Sequence, residues 1–255
     1  MNSYSPFALT GKTILITGAS SGIGRACAIE IAKAGAGKCI LTGRSEERLQ
    51  ETAAIISRVA RETETQTLVC DLSDTAAIKN LSGAMPRIDG AVLNAGINIK
   101  KPIQFVKEEE ISSIFQINCF SCISLIKHLV KNKKLSDPCS LVFMSSISGN
   151  GNFSFGNAMY GASKAALTAF MKYAAMEFAS KGVRCNALLP GRVETDFIKS
   201  AITDATDTQR DLDKYPLKRY GKPEEVAYSA IFLLSDASAW ITGSELTLDG
   251  GRSLI

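Results

Sequence analysis

Short apolar runs rich in β-branched residues alternate along this chain with longer stretches whose apolar positions recur at helical spacing. The short runs cover 13–17, 39–42, 67–70, 91–93, 141–144, 183–189 and 246–248, and the longer stretches 22–34, 45–61, 73–81, 108–132, 160–180 and 223–234. Strands that are apolar on both faces and alternate with helices predict a parallel sheet covered on both sides. Right-handed crossovers make such a sheet doubly wound. The reading is therefore α/β: one domain over 1–255, a seven-stranded parallel sheet with helices on both faces. In that architecture a ligand sits beyond the carboxyl ends of the strands, where the strand order reverses. No repeat, low-complexity tract or linker interrupts the pattern.

Composition removes several function classes. A chain of 255 residues with 45% hydrophobic content can bury a large core. Its net charge of +4 is mild and not gathered into a stripe, so a nucleic-acid partner is not expected. No unbroken apolar run reaches the length of a membrane span, and residues 1–6 are short and polar, so the expectation is a soluble cytoplasmic protein. Seven scattered cysteines argue against a disulfide framework. Cys119 and Cys122 form a Cys-x-x-Cys, but their apolar neighbours read as mid-helix, which favours packing thiols over a redox or zinc pair. His128 is the only histidine, so neither a histidine-based triad nor a histidine metal cluster can be built.

The candidate chemistry lies at the strand ends. The first strand runs into Thr17-Gly18-Ala19-Ser20-Ser21-Gly22-Ile23-Gly24. Glycines there permit a tight turn and close backbone approach, and the following helix offers its first N–H groups to a pyrophosphate. A plain strand-to-helix turn of small residues is the alternative. The second strand ends in Thr42-Gly43-Arg44-Ser45. An acid here would take the ribose hydroxyls of NAD, whereas an arginine accommodates the 2′-phosphate of NADP. Gly43 stands in the acid's place and Arg44 follows, with Ser45 available for a second hydrogen bond; Arg44 as mere loop decoration is the competing view. Asp71 and Leu72 close the third strand within reach of an adenine, although Asp71 also suits helix-cap chemistry with Ser73 and Asp74. Asn94-Ala95-Gly96 closes the fourth, as cofactor contact or as turn chemistry.

Tyr160 and Lys164 are one helical turn apart and share a helix face. A free tyrosine holds its proton to a pKa of about 10, and a neighbouring cation favours the phenolate. The pair can serve as a proton donor, but the spacing is also common on solvated faces. Ser145, Ser146 and Ser148 end the fifth strand some fourteen residues before Tyr160. Adjacent strand residues face opposite ways, so only one of Ser145 and Ser146 can meet the phenol.

Taken together, Thr-Gly-x-x-x-Gly-x-Gly, Asn94-Ala95-Gly96, Asn118, Ser146, Tyr160-x-x-x-Lys164, Pro190-Gly191, the run from Pro216 to Val226, Ile241-Thr-Gly243 and Asp249-Gly-Gly resemble the short-chain dehydrogenase/reductase family. The likeness spans nearly the whole chain, falls in the short single-domain branch and is closest in feel to 3-oxoacyl-acyl-carrier-protein reductases. It implies a Rossmann fold with strand order 3-2-1-4-5-6-7. It also implies interconversion of a carbonyl and a secondary alcohol with NADP(H), or with NAD(H). Tyr160 would be the general acid/base, Lys164 would lower its pKa and contact the nicotinamide ribose, Ser146 would orient the carbonyl, and Asn118 would hold a water. Gly18, Ser20, Ser21, Gly22, Ile23, Gly24, Arg44, Ser45, Asp71, Leu72 and Asn94-Ala95-Gly96 would line the cofactor site. Pro190, Gly191, the Val193 backbone and Thr195 would contact the carboxamide end. A homotetramer or homodimer, paired through the helices around 118–132 and 160–180, is a further implication.

Two departures mark the chain: Leu93 replaces the first asparagine of the usual Asn-Asn-Ala-Gly, and Ser21 stands where many NADP-preferring members carry a basic residue. An extended-branch epimerase or dehydratase would normally need a longer segment after Tyr160, and a non-catalytic NADP-binding sensor would be expected to have lost Tyr160, Lys164 or Ser146. Phe153, Phe155, Phe197 and Ile198 flank the expected pocket and suit an apolar substrate portion or core packing. Lys100 and Lys101 are candidates for a carrier-protein contact, and the lysines around His128 for a carrier or a solvated helix end. The charges of 192–215 single out no ligand.

Overall fold

A computed structural model of the protein describes residues 5–195 and 205–255. The seven strands are β1 (Thr13–Thr17), β2 (Lys38–Gly43), β3 (Glu64–Val69), β4 (Ile88–Leu93), β5 (Leu135–Met144), β6 (Val183–Pro190) and β7 (Glu245–Leu248). They form one sheet in the order β3-β2-β1-β4-β5-β6-β7, parallel at every pairing. The order reverses between β1 and β4, and a crevice opens there beyond the carboxyl ends. Alternation along each strand feeds two apolar layers. In β1, Leu15 enters the layer shared with Leu93, Leu141 and Phe143, while Ile14 and Ile16 enter the layer with Val92, Val142 and Leu188.

Helices α1 (Gly22–Lys33), α2 (Glu46–Val59), α3 (Thr75–Ala84), α4 (Glu108–Phe115), α5 (Ser121–Lys131), α6 (Ala158–Phe178), α7 (Ala205–Leu212) and α8 (Pro223–Leu234) complete the fold. The helix expected over 108–132 is interrupted by a π-helical turn at Gln116–Phe120, which joins α4 to α5 without a break in the helical run. Such turns re-aim side chains and gather at functional sites, and this one carries Asn118. β5 begins six residues before the expected 141. The ladder passes Asp137-Pro138 with a register irregularity opposite Ile88 and Gly90, the kind of place where a strand tolerates proline.

The continuous run Glu108–Lys131 is long and apolar enough to cross a membrane by length and composition, with mean hydropathy 1.3. Polar residues scattered through it hide it from a search for unbroken apolar runs. Its residues Ile114, Asn118, Cys119, Cys122, Leu125, Ile126 and Leu129 are buried inside the domain, so it serves as a core helix.

Candidate active site

The cofactor half of the crevice is built mainly from backbone. A cleft of about 450 Å³ is lined by Gly18, Ser20, Ser21, Gly22, Ile23, Gly43, Arg44, Arg48, Asp71, Leu72, Asn94, Ala95, Gly96, Ile97 and Thr195, among others. Gly18 has φ +67° and Gly22 φ +51°, conformations that favour glycine. Gly24 stands behind the wall: a Cβ there would lie 2.1 Å from the Gly18 carbonyl oxygen and 2.6 Å from the Asn94 side chain. Its smallness lets α1 dock against the turn. Ser21 caps α1 without a side-chain bond, and no acidic residue occupies the first turn, so the helix N-terminus meets the cleft with its N–H groups uncommitted to side chains. These features fit a dinucleotide pyrophosphate.

Side chains then set the corners. Thr17 Oγ1 accepts from the backbone N–H of both Asn94 and Ala95, at 2.9 and 3.0 Å, and Asn94 Nδ2 donates to the Thr17 carbonyl. This ties the β1 and β4 ends together. Leu93 lies in the core at the end of β4, where an asparagine would gain no solvent. Arg44 is exposed at the cleft. Arg48, one helical turn on, lines the same wall, a residue the sequence reading missed because it looked like ordinary helix surface. Ser45 does not line the cleft; its Oγ caps α2 by accepting from Arg48 N at 3.3 Å. Asp71 lines the cleft while also accepting from the Ser73 N–H and hydroxyl. Those bonds lower its pKa below the usual carboxylate value. The N-cap of α3 is Asp74, which accepts from Ala76 N.

The reacting end lies between β5, β6 and α6. Ser146 stands beside the Tyr160 phenol, where its hydroxyl favours the phenolate. Ser145 faces the other way, its Oγ donating to the Lys164 carbonyl and bonding Thr168 Oγ1 at 2.7 Å, so the serine ambiguity resolves to Ser146. Lys164 is buried, donates to the Met144 carbonyl at 2.7 Å, and sits 5.8 Å from the centre of the Tyr160 ring. Asn118 packs against Gly96 and clamps Ile97, accepting from its N–H at 2.7 Å and donating to its carbonyl at 2.9 Å. A second Asn118 donor reaches Ser163. Pro190, Gly191 and Val193 follow at the end of β6, outside the cleft lining, with Gly191 close against Asp249. Thr195 reaches the cleft and abuts Gly22.

Burial raises the Tyr160 phenol above its ordinary value, opposed by the Ser146 hydroxyl. Lys164 itself is lowered to about 8 by desolvation, with Cys122 and Cys119 pulling weakly the other way. All seven cysteines are free and buried, and burial pushes Cys122 above the usual thiol range, as packing thiols require.

The second half is less regular. Arg192 pairs with Asp211 at 2.7 Å, Tyr220 donates to the same carboxylate at 2.9 Å, and the guanidinium lies over the Tyr220 ring. Phe153 and Phe155 are almost fully exposed, so neither is a core aromatic; Phe197 and Ile198 lie outside the described residues. Lys101 is engaged by Glu110, leaving Lys100 as the exposed candidate. Near His128, Lys134 donates to the Met85 and Gly83 carbonyls, in keeping with a helix end.

A doubly wound sheet with a phosphate cleft at its switch point and a Ser-Tyr-Lys cluster beyond the next strands defines a nicotinamide-dependent oxidoreductase. The comparisons agree. A family model described as enoyl-(acyl carrier protein) reductase matches residues 18–253. The 3-oxoacyl-acyl-carrier-protein reductase FabG of Rickettsia conorii is 36% identical over 252 residues, covering 97% of this chain and 99% of the relative. A tropinone reductase homolog of Arabidopsis thaliana is 33% identical over 256 residues, covering 98% and 96%. Among solved structures, the Pseudomonas aeruginosa RhlG/NADP active-site complex superposes with TM-score 0.91 at 29% identity, covering 98% and 99%. Levodione reductase gives TM-score 0.90 at 28% identity, covering 96% and 99%. The chain belongs to the short-chain dehydrogenase/reductase family and is an NAD(P)-dependent enzyme.

Proposed function

We propose that the protein reduces a carbonyl with NADPH, or runs the reverse oxidation of a secondary alcohol, and that Tyr160 supplies the proton. The observation that carries this reading is the meeting of Ser146, Tyr160 and Lys164 beside Gly96 and the cofactor cleft. When bound, the nicotinamide supplies hydride. Ser146 orients the carbonyl oxygen by hydrogen bonding, and the Tyr160 hydroxyl delivers its proton as alkoxide character develops. Lys164 then serves as a cation behind the phenol and a donor to the cofactor ribose. Asn118 holds Ile97 and Ser163 in place around it, a clamping role beside the water-holding one that the family likeness implies.

Arg44 at the cleft favours NADPH over NADH, since its fork matches a 2′-phosphate and Gly43 offers the ribose hydroxyls no acceptor. A 3-oxoacyl thioester, carrier-linked, is the first substrate candidate, on the 36% likeness to a reductase of that name. We place the enzyme in the cytoplasm, where seven free thiols stay reduced. Exposed Phe120, Tyr173 and Met176 on the α5 and α6 side support assembly as a homo-oligomer through those helices; a monomeric mass at micromolar concentration would oppose it. The functional reading is tested by a carbonyl panel that includes a 3-oxobutyryl thioester, followed by loss of near-ultraviolet NADPH absorbance. Turnover of at least one carbonyl is expected, and none across the panel would contradict it.

A further inference from the structure

The glycine turn of the cofactor cleft is fastened from behind by two side chains that do not line it. Thr52, fully buried on α2, donates from Oγ1 to the Ala19 carbonyl at 3.0 Å. The same hydroxyl faces the Arg48 carbonyl, the ordinary acceptor for a helical threonine, so its one proton is shared between helix and turn. Arg25, on α1, donates from Nη2 to the Ser20 carbonyl at 2.7 Å. That nitrogen also reaches the Arg48 carbonyl at 3.3 Å and Glu51 Oε2 at 2.8 Å, both on α2. The Arg25 Nε is buried with no acceptor. An arginine that only joined two helices would satisfy its donors; this one is placed by what Nη2 reaches.

A trans peptide is planar, and its N–H points opposite to its C=O. Drawing the Ala19 carbonyl back to Thr52 therefore turns the Ser20 N–H forward. Drawing the Ser20 carbonyl back to Arg25 does the same for the Ser21 N–H. Forward is the cleft, which both serines line and neither Thr52 nor Arg25 does. Among the described residues the two N–H groups donate to nothing. Successive backbone donors left open in this way make a concavity for an oxyanion. Ser20 Oγ lies 3.5 Å from where a Cβ on Gly43 would stand, so this part of the turn faces the β2 end that leads into Arg44.

We propose that Thr52 and Arg25 are positioning residues for the cofactor. By holding the Ala19 and Ser20 carbonyls against α2, they aim the Ser20 and Ser21 N–H groups at a phosphate of the dinucleotide. This rests on the NADPH reading above and deepens it. Helix α2 is then part of the cofactor site: the guanidinium that holds the turn also holds Arg48 and Glu51, and so sets the turn and the arginine wall at one distance.

The test is the dissociation constant of NADPH and of NADH, measured by titration calorimetry on the full chain, with thermal unfolding to show each variant folded. Thr52→Val keeps the shape and changes no charge. It should weaken NADPH about tenfold, the effect of one neutral hydrogen bond, while kcat at saturating NADPH stays near that of wild type. Thr52→Ser, which keeps the hydroxyl, should restore affinity. Arg25→Met keeps the stem and removes the guanidinium, and should also weaken NADPH about tenfold. That loss should persist at about 1 M salt, where the screening length is about 3 Å. Ser140→Ala is the control: in mid-β5, away from the cleft, it removes a buried hydroxyl that donates to the Leu233 carbonyl at 2.6 Å, and NADPH affinity should not change. A loss confined to NADPH assigns the two N–H groups to the 2′-phosphate, and equal losses on NADPH and NADH assign them to the pyrophosphate; both support the proposal. Unchanged NADPH affinity in Thr52→Val, no recovery in Thr52→Ser, or an equal loss in Ser140→Ala overturns it. A loss in Arg25→Met that vanishes at high salt is long-range charge alone and overturns the part assigned to Arg25. If Thr52→Val does not fold, Arg25→Met decides. In each of these overturning results wild type still binds NADPH and the functional reading stands, whereas wild type that binds neither dinucleotide would remove both.

Discussion

The two halves of the crevice are made of different material. Between β1, β2 and β4 the wall is largely backbone: glycines at positive φ, a bare helix N-terminus and a threonine that pins two strand ends together. Between β5, β6 and α6 it is side chains: Ser146, Tyr160 and Lys164 at the centre, then Asn98, Asn157 and Ser148 on one side and Arg192, Asp211 and Tyr220 on the other. A backbone wall presents the same N–H groups whatever its side chains, provided nothing obstructs approach. A side-chain wall can be re-specified one residue at a time. The first half therefore suits a cofactor shared across a family, and the second holds the substrate choice.

Obstruction should be the most damaging change to the backbone half. Gly24→Ala would drive a methyl to 2.1 Å from the Gly18 carbonyl oxygen, forcing α1 off the turn. We expect loss of measurable NADPH binding by titration calorimetry and destabilisation of about 1–3 kcal/mol by urea unfolding. A variant that binds as wild type would break the comparison at its root.

Under the proposed function Arg44 carries that half's cofactor choice, with Arg48 on the same wall. A charge-assisted hydrogen bond is worth about 1.5–3 kcal/mol, so Arg44→Ala should weaken NADPH roughly ten- to a hundredfold and leave NADH nearly unchanged. Gly43→Asp should swing preference toward NADH. Equal losses for both cofactors would reduce Arg44 to decoration, and a smaller loss than expected would point to Arg48 sharing the phosphate.

The side-chain half should announce itself through pH. Lys164 is lowered from 10.5 to about 8 by burial, so it is charged below that value and neutral above it. If its charge assists Tyr160, kcat for reduction falls as pH rises past about 8. Stability moves the other way: the folded pKa lies below the unfolded one, so the folded state binds fewer protons and gains stability between about 8 and 10.5. Opposite slopes of kcat and denaturation midpoint across that interval are the expected signature.

Ser45 gives the smallest effect. It caps α2 and does not line the cleft, so Ser45→Ala should cost about 1 kcal/mol of stability and leave NADPH affinity within a few-fold. A loss as large as that of Arg44→Ala would restore it as a phosphate ligand.

Much of this was legible in the sequence because local pattern and chemistry coincide. The alternation of strands and helices follows from spacing alone, whereas the strand order and the Ser146, Tyr160, Lys164 set come from the joint resemblance of several motifs to one family, each motif by itself having a second reading. What escaped depends on contacts between distant segments. The π-turn at Asn118 has no spacing signature, Arg48 looks like any exposed helical arginine, and the Asn98–Asn157 and Asn157–Ser148 bonds join residues 59 and 9 positions apart. The direction of the Tyr160 shift escaped for the same reason: sequence shows the cation one turn away but not the burial that raises the phenol.

The central claim is that Tyr160 delivers the proton. Tyr160→Phe keeps the ring and removes the hydroxyl, so the decisive measurement is single-turnover NADPH oxidation in this variant beside its NADPH dissociation constant. The expected result is an unchanged dissociation constant with a rate lowered by about 10²–10⁴-fold, the usual contribution of a positioned acid. A variant that binds NADPH normally and still turns over at the wild-type rate would contradict the account.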